Sequence, residues 1–181
     1  MTAFQQKTGT PYNERTAMST NTTFDLDQIK PISSRLSDAE NRLRLRLMKQ
    51  IIDLGHPVAA PETSDTRDVT PTDIFENLVK KQVIILDEQQ RAQYVYPVSA
   101  APTAHRVKLA DGRSFHAMCA IDAMGSTFTL QQDITIHSRC SLCSTPISLN
   151  IHNGQLDRLQ PPTTHVLHVD LEKSRDWADT C

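Results

Sequence analysis

The residues with the most chemistry in this sequence are four cysteines and one neighbouring acid. Cys119 and Asp122 stand three apart within FHAMCAIDAMG. On a helix that spacing puts both side chains on one face, with about 5–6 Å between Cβ atoms. A thiolate there can take a soft metal while the carboxylate relays a proton. The plainer reading is a small buried cysteine beside a solvated helix acid, and spacing alone favours it. Cys140 and Cys143 form a CxxC after a strand-like run, which resembles half a zinc knuckle. A four-thiolate zinc site usually needs a second pair. Cys119 and Cys181 could complete one in principle but lack pair spacing, so a structural pair of thiols is an equally good reading. Cys181 is the last residue and follows Trp177, the single tryptophan. It reads on its own as an exposed thiol.

Other catalytic signatures are missing. His56, His105, His116, His137, His152, His165 and His168 are scattered, without an HxxxH pair. His165 and His168 fall on opposite faces of a strand, so the histidines read as surface or packing residues. With five glycines and no Gly-rich loop, a nucleotide site is improbable, and no GxSxG is present.

The elements that must position these groups are legible in outline. Residues 1–35 are polar and rich in Thr, Asn and Gln and read as a disordered tail. In LSDAENRLRLRLMKQIIDLG, Ser37 and Glu40 have capping-box spacing. Leu43, Leu47, Ile51 and Leu54 then recur at helical spacing, and Gly55 and Pro57 end the helix. After the connector PVAAPETSDTRDVT, Thr70 is the N-cap of a second helix with Pro71 at its first position and Asp73 in its first turn. Ile74, Phe75, Leu78 and Val79 supply its buried face. QVIILDEQQRAQYVYPVS reads as two strands around a polar turn. Helices followed by a hairpin predict a winged-helix-like N-terminal module over 36–100. The second helix carries acids as well as lysines and the region has no basic stripe, which favours a packing module over a DNA reader.

Residues 101–181 read differently. HRVKLADGRSFHA predicts a hairpin turned at Asp111-Gly112. MCAIDAMG predicts a short helix or turn. DITIHSR, PISLNI, QLDRLQ and HVLHVDL are strand-like, with Asn153-Gly154 turning between the second and third. The fold class is therefore α+β, with a mainly antiparallel β core and short helices.

Composition excludes several function classes. A net charge of −2 gives no electrostatic case for nucleic acid or an anionic membrane. No apolar run approaches the roughly 18 residues of a membrane span, and the N-terminus lacks a signal-type apolar stretch. The expectation is a cytoplasmic protein, where cysteines more often bind metal, react or pack than form disulfides.

From Arg113 to Cys181 the chain resembles the catalytic core of the alkylmercury lyase family. An aromatic strand leads into C-A-x-D, here Cys119-Ala120-Ile121-Asp122. A strand then leads to HSRCSLCSTPISLNI, and a Trp-containing segment ends in cysteine, DWADTC. The winged-helix-like half fits the family's N-terminal portion, so the likeness runs from about Leu36 to the end. C-A-x-D is short and weakly specific alone; the ordered set is more so. The resemblance implies cleavage of carbon–mercury bonds by protonolysis, giving a hydrocarbon and Hg(II). It makes Cys119 and Cys181 the mercury-binding thiols and Asp122 the carboxylate that moves the proton. Cys140 matches a position used for structure, and Cys143 goes beyond the simplest form of that motif.

The chemistry fits. Alkyl–mercury bonds are inert in water, and thiolates are the softest side-chain ligands for mercury. Two of them push electron density onto carbon, and a nearby acid supplies the proton. No bound cofactor is required. The implied partners are an organomercurial substrate, with cellular thiols or mercuric reductase taking the Hg(II). Family members continue for several tens of residues beyond the second cysteine. The core at 101–181 is therefore expected to be C-terminally incomplete and this chain poorly active, with a longer form active. Two rivals remain: a non-catalytic mercury- or zinc-binding winged-helix regulator, and a truncated inactive family member.

Overall fold

The two N-terminal helices begin where their caps dictate. In α1 (Asp38–Leu54), the Ser37 side chain accepts from the Glu40 N–H and the Ser37 N–H donates to Glu40 at 2.7 Å. In α2 (Pro71–Lys80), Thr70 and Asp73 make the same reciprocal pair. Each pair satisfies two backbone donors that a helix start leaves without partners. Gly55 ends α1 in the left-handed conformation, with φ 71°. The computed structural model describes residues 32–61 and 70–166. Residues 1–31 of the expected tail and most of the Pro- and Thr-rich connector lie outside them, whereas Ile32–Arg35, expected to be part of the disordered tail, form a 3-10 helix.

Leu43, Leu47 and Ile51 are buried as the periodicity predicts, together with Met48 and Ile52. Leu54, expected on the same stripe, is exposed, because the stripe has turned away from the core by the last turn. Glu40 is buried and pairs with Lys81 at 2.7 Å, tying the start of α1 to the end of α2.

Eight strands follow: β1 (Ile84–Leu86), β2 (Ala92–Val95), β3 (Val98–Ser99), β4 (His105–Leu109), β5 (Ser114–Ala117), β6 (Ile134–Arg139), β7 (Pro146–His152) and β8 (Gln155–Gln160). They form one sheet in the order β1-β2-β3-β5-β4-β6-β7-β8, and every pairing is antiparallel. Gly112 and Gly154, with φ 90° and 72°, turn the β4–β5 and β7–β8 hairpins where Asp-Gly and Asn-Gly predict. The molecule is α+β as expected, with three α-helices among the described residues.

Three details differ from expectation. YVYPVS continues past Pro97 into a third short strand, β3, which pairs with β5. The expected boundary near residue 100 therefore falls within one continuous sheet. MCAIDAMG opens a full helix, α3 (Ala120–Leu130), where a short helix or turn was expected. In HVLHVDL, His165 and Val166 are not in a strand, and the rest lies outside the described residues.

The core forms where α1 and α2 cover β1–β3 and where α3 packs on β4, β5 and β6. Val95, Val98, Val107 and Ala117 are wholly buried along this line. It places β5, and the turn that leaves it, between α1 and α3.

Candidate active site

The last residue of β5, Ala117, pairs with Val98 on one side and His105 on the other. Thr103 fastens this end of the strand. Its hydroxyl donates to the Ala117 carbonyl at 2.6 Å, and its N–H donates to His116 Nδ1 at 3.1 Å. With the strand end fixed, the chain enters α3 through Cys119, which is the N-cap in an extended conformation (φ −140°, ψ 177°).

A thiol therefore occupies the place where α1 has a serine and α2 a threonine. The Asp122 N–H donates to Cys119 Sγ at 3.5 Å, as it would to a cap hydroxyl. The Asp122 carboxylate departs from the capping-box pattern. Its Oδ2 accepts from the Cys119 thiol at 3.4 Å, so thiol and carboxyl are joined by a direct hydrogen bond. A helix start favours negative charge at this cap.

Burial pushes the Asp122 carboxyl up to about 6, against the opposing pulls of the Cys119 hydrogen bond and the positive Arg44. Arg44 comes from α1 and is only 5% exposed. Its Nε donates to the Tyr96 carbonyl at 2.9 Å, and a second nitrogen donates to Asn41 at 3.3 Å. Burial lowers the pKa of Arg44, and the Asp122 charge opposes that shift. Its influence on Asp122 acts through space. A thiol and a carboxyl that titrates near neutrality, held together at a helix start, can bind a soft metal and pass a proton.

Arg44 belongs to no motif visible in the sequence. The signal was present: Arg44, Met48 and Ile52 follow one another at i, i+4 and i+8, so an arginine sits on an apolar stripe. An arginine so placed must find partners for its buried donors.

Cys140 and Cys143 occupy the turn between β6 and β7. The Cys140 N–H donates to the Thr145 carbonyl at 2.9 Å, and the Ser144 N–H donates to the Cys140 carbonyl at 2.9 Å. Ser144 completes the turn with φ 58°. Cys143 is exposed, with Sγ 3.1 Å from the Thr145 hydroxyl. Hydrogen bonds from the Thr145 side chain and then its backbone, with a smaller one from Cys140, hold the Cys143 thiol below its usual range. Cys181 and Trp177 lie outside the described residues. Among the described residues, no three His, Cys, Asp or Glu side chains are grouped to hold a metal ion. His105 and His116 serve the scaffold, bonding Ser138 and Thr103. No helix among the described residues is long and apolar enough to cross a membrane.

Residues 98–181, which include the β5–α3 junction, match the family model described as MerB, alkylmercury lyase. The fold is similar to a solved structure described as the mercury-bound form of MerB2, with a TM-score of 0.56 and 25% sequence identity. That likeness covers 71% of this chain and 63% of the solved one, so the chain spans less than two thirds of that protein's length. No curated protein matches the chain. Over residues 98–181, the chain is similar to the alkylmercury lyase family.

Proposed function

We propose that this protein is an organomercurial lyase that cleaves carbon–mercury bonds by protonolysis, with Cys119, Asp122 and Cys181 as its reacting groups. The observation that carries the reading is the 3.4 Å contact between the Cys119 thiol and a half-buried Asp122 carboxyl. The Cys119 sulfur bonds R–Hg⁺ and its proton passes to Asp122. Cys181 supplies the second thiolate, which pushes electron density onto the carbon bound to mercury. Asp122 then returns the proton to that carbon, the Hg–C bond breaks, and R–H leaves. Hg(II) remains between two sulfurs until cellular thiols or mercuric reductase remove it. Protons and charge balance without a redox partner.

A carboxyl near pKa 6 suits both halves of this cycle. It is basic enough to take a thiol proton and acidic enough to give it up again. An exposed aspartate, titrating about two units lower, would be a weaker base. The Cys119 hydrogen bond and, to a smaller extent, Arg44 oppose the effect of burial and keep the acid in this range. Residues 36–100 act as a winged-helix-like packing module that delivers Arg44, and 101–181 as the catalytic core. Because the thiols must stay reduced, the enzyme works in the cytoplasm, in mercury detoxification and mercuric resistance.

The test is direct. Protein incubated with phenylmercury and excess monothiol should release benzene above the rate in buffer, measured by headspace gas chromatography. Binding of phenylmercury without any benzene release would overturn the catalytic reading and leave a mercury-binding protein.

A further inference from the structure

The catalytic reading leaves one thiol pair unused. Cys140 and Cys143 stand at the two ends of a four-residue turn, with Cys143 and Leu142 open to solvent and Leu142 94% exposed. We propose that Cys140 and Cys143 form a separate binding site for a two-coordinate thiophilic cation such as Hg(II) or Cu(I).

The turn is built to hold both sulfurs together. Cross-turn bonds from Cys140 N–H to the Thr145 carbonyl and from Ser144 N–H to the Cys140 carbonyl, both 2.9 Å, close the loop on the β6–β7 ladder. The ladder runs in register to its end at Arg139 and Pro146, next to the first cysteine. The Arg139 guanidinium donates to the Ser144 carbonyl at 3.3 Å, bracing the turn from below. The Thr145 hydroxyl lies 3.1 Å from Cys143 Sγ and can donate to a sulfur that has lost its proton.

The donor set selects the ion. Zinc in a structural site takes four ligands. Here two sulfurs have no third His, Cys, Asp or Glu grouped with them among the described residues. Soft d¹⁰ cations are satisfied by two thiolates in a near-linear arrangement, so these two sulfurs suit them. Binding follows Hg²⁺ + 2 RSH → Hg(SR)₂ + 2 H⁺, with no change of oxidation state.

Position adds to the case. His105 pairs with Ala117 of β5 on one side, and its ring nitrogen meets the Ser138 hydroxyl of β6 at 2.9 Å on the other. The dithiol turn and the Cys119 junction therefore leave the same end of the sheet. The strands that lead to them are two spacings apart, about 10 Å. The inference does not depend on carbon–mercury cleavage, because it concerns different sulfurs.

The test uses the full chain, reduced, with Cys119→Ser and Cys181→Ser so that only this pair remains. One equivalent of HgCl₂ is added in millimolar glutathione, and the protein is examined by native mass spectrometry. The site predicts one mercury per monomeric chain with the mass of two protons lost, because a chelating pair outcompetes separate monothiols. Adding Cys143→Ser, or Cys143→Ala as a second variant, should lower retention at least tenfold. An unmetallated chain, equal retention after either substitution, or mercury found only between two chains would overturn the proposal. So would one zinc per chain that survives a chelator in the same protein.

Discussion

The starts of α2 and α3 carry the same local motif and do different things. Thr70 and Asp73 are an N-cap and an acid three residues on, and so are Cys119 and Asp122. At α2 the acid is exposed, bonds the Thr70 backbone and hydroxyl, and has its pKa lowered by those bonds. At α3 the acid is enclosed beside α1, bonds the cap's thiol, and is raised to about 6. Spacing is common to both; burial and the sulfur separate them. Capping geometry thus brings an acid and a cap side chain together, and the tertiary fold decides whether that pair does chemistry.

Substitution of the cap sulfur should have the largest effect. Serine is a good N-cap, so Cys119→Ser keeps α3 intact while removing the soft ligand. Benzene release from phenylmercury should fall to the rate in buffer, with the circular dichroism spectrum and Tm preserved. Activity that survives would mean that another sulfur attacks mercury first.

The two acids should respond to neutralisation with opposite signs. The folded pKa of Asp122 lies above its unfolded value, so its contribution to stability is fully present at low pH and is lost as pH rises through about 6. Asp122→Asn removes the cost of ionising a buried group and should stabilise the protein at pH 7.5 by up to about 3 kcal/mol, from roughly two pKa units. That advantage over the parent should shrink as pH falls from 7.5 to 5. Asp73 has a lowered pKa, so its contribution is present above its unfolded value and is lost only as pH falls through its folded one. Asp73→Asn should therefore lower Tm at neutral pH. Thermal melts of both variants at the two pH values test the contrast, and changes of the same sign would break it.

Arg44→Met should act on the same acid more gently. Without the guanidinium, the Asp122 pKa should move further up, so the acid limb of the pH–rate profile should shift to higher pH. Loss of the bond to the Tyr96 carbonyl should cost about 1–3 kcal/mol in urea melts. An unmoved acid limb would remove Arg44 from the account of Asp122. The smallest effect should come from Cys143→Ser. The residue is exposed and outside the proposed reacting set, so benzene release and Tm should match the parent.

Local signals explain what the sequence made legible. Ser37/Glu40 and Thr70/Asp73 announced two helices, and Asp111-Gly112 and Asn153-Gly154 announced two hairpins, because caps and tight turns are settled within a few residues. The C-A-x-D segment was visible, and the structure joins its two side chains. The length of α3 was not legible, because Gly125 and the run Ser126-Thr127-Phe128-Thr129 have weak helix propensity and the helix is held by packing on β4–β6. The sheet order β3-β5-β4-β6 was equally hidden, since it depends on long-range pairing. Arg44 was missed for a related reason. Its role arises only when α1 packs beside the end of β5, some 70 positions along the chain.

The central claim is that Asp122 moves the proton once Cys119 has bound mercury. It is tested by following binding and cleavage of phenylmercury separately in Asp122→Asn. Phenylmercury should still bind at Cys119, while single-turnover benzene release falls about 10²–10⁴-fold, the usual worth of a positioned acid. Benzene release at the parent rate, with the same pH dependence, would contradict the assignment and leave the 3.4 Å contact as a helix cap alone.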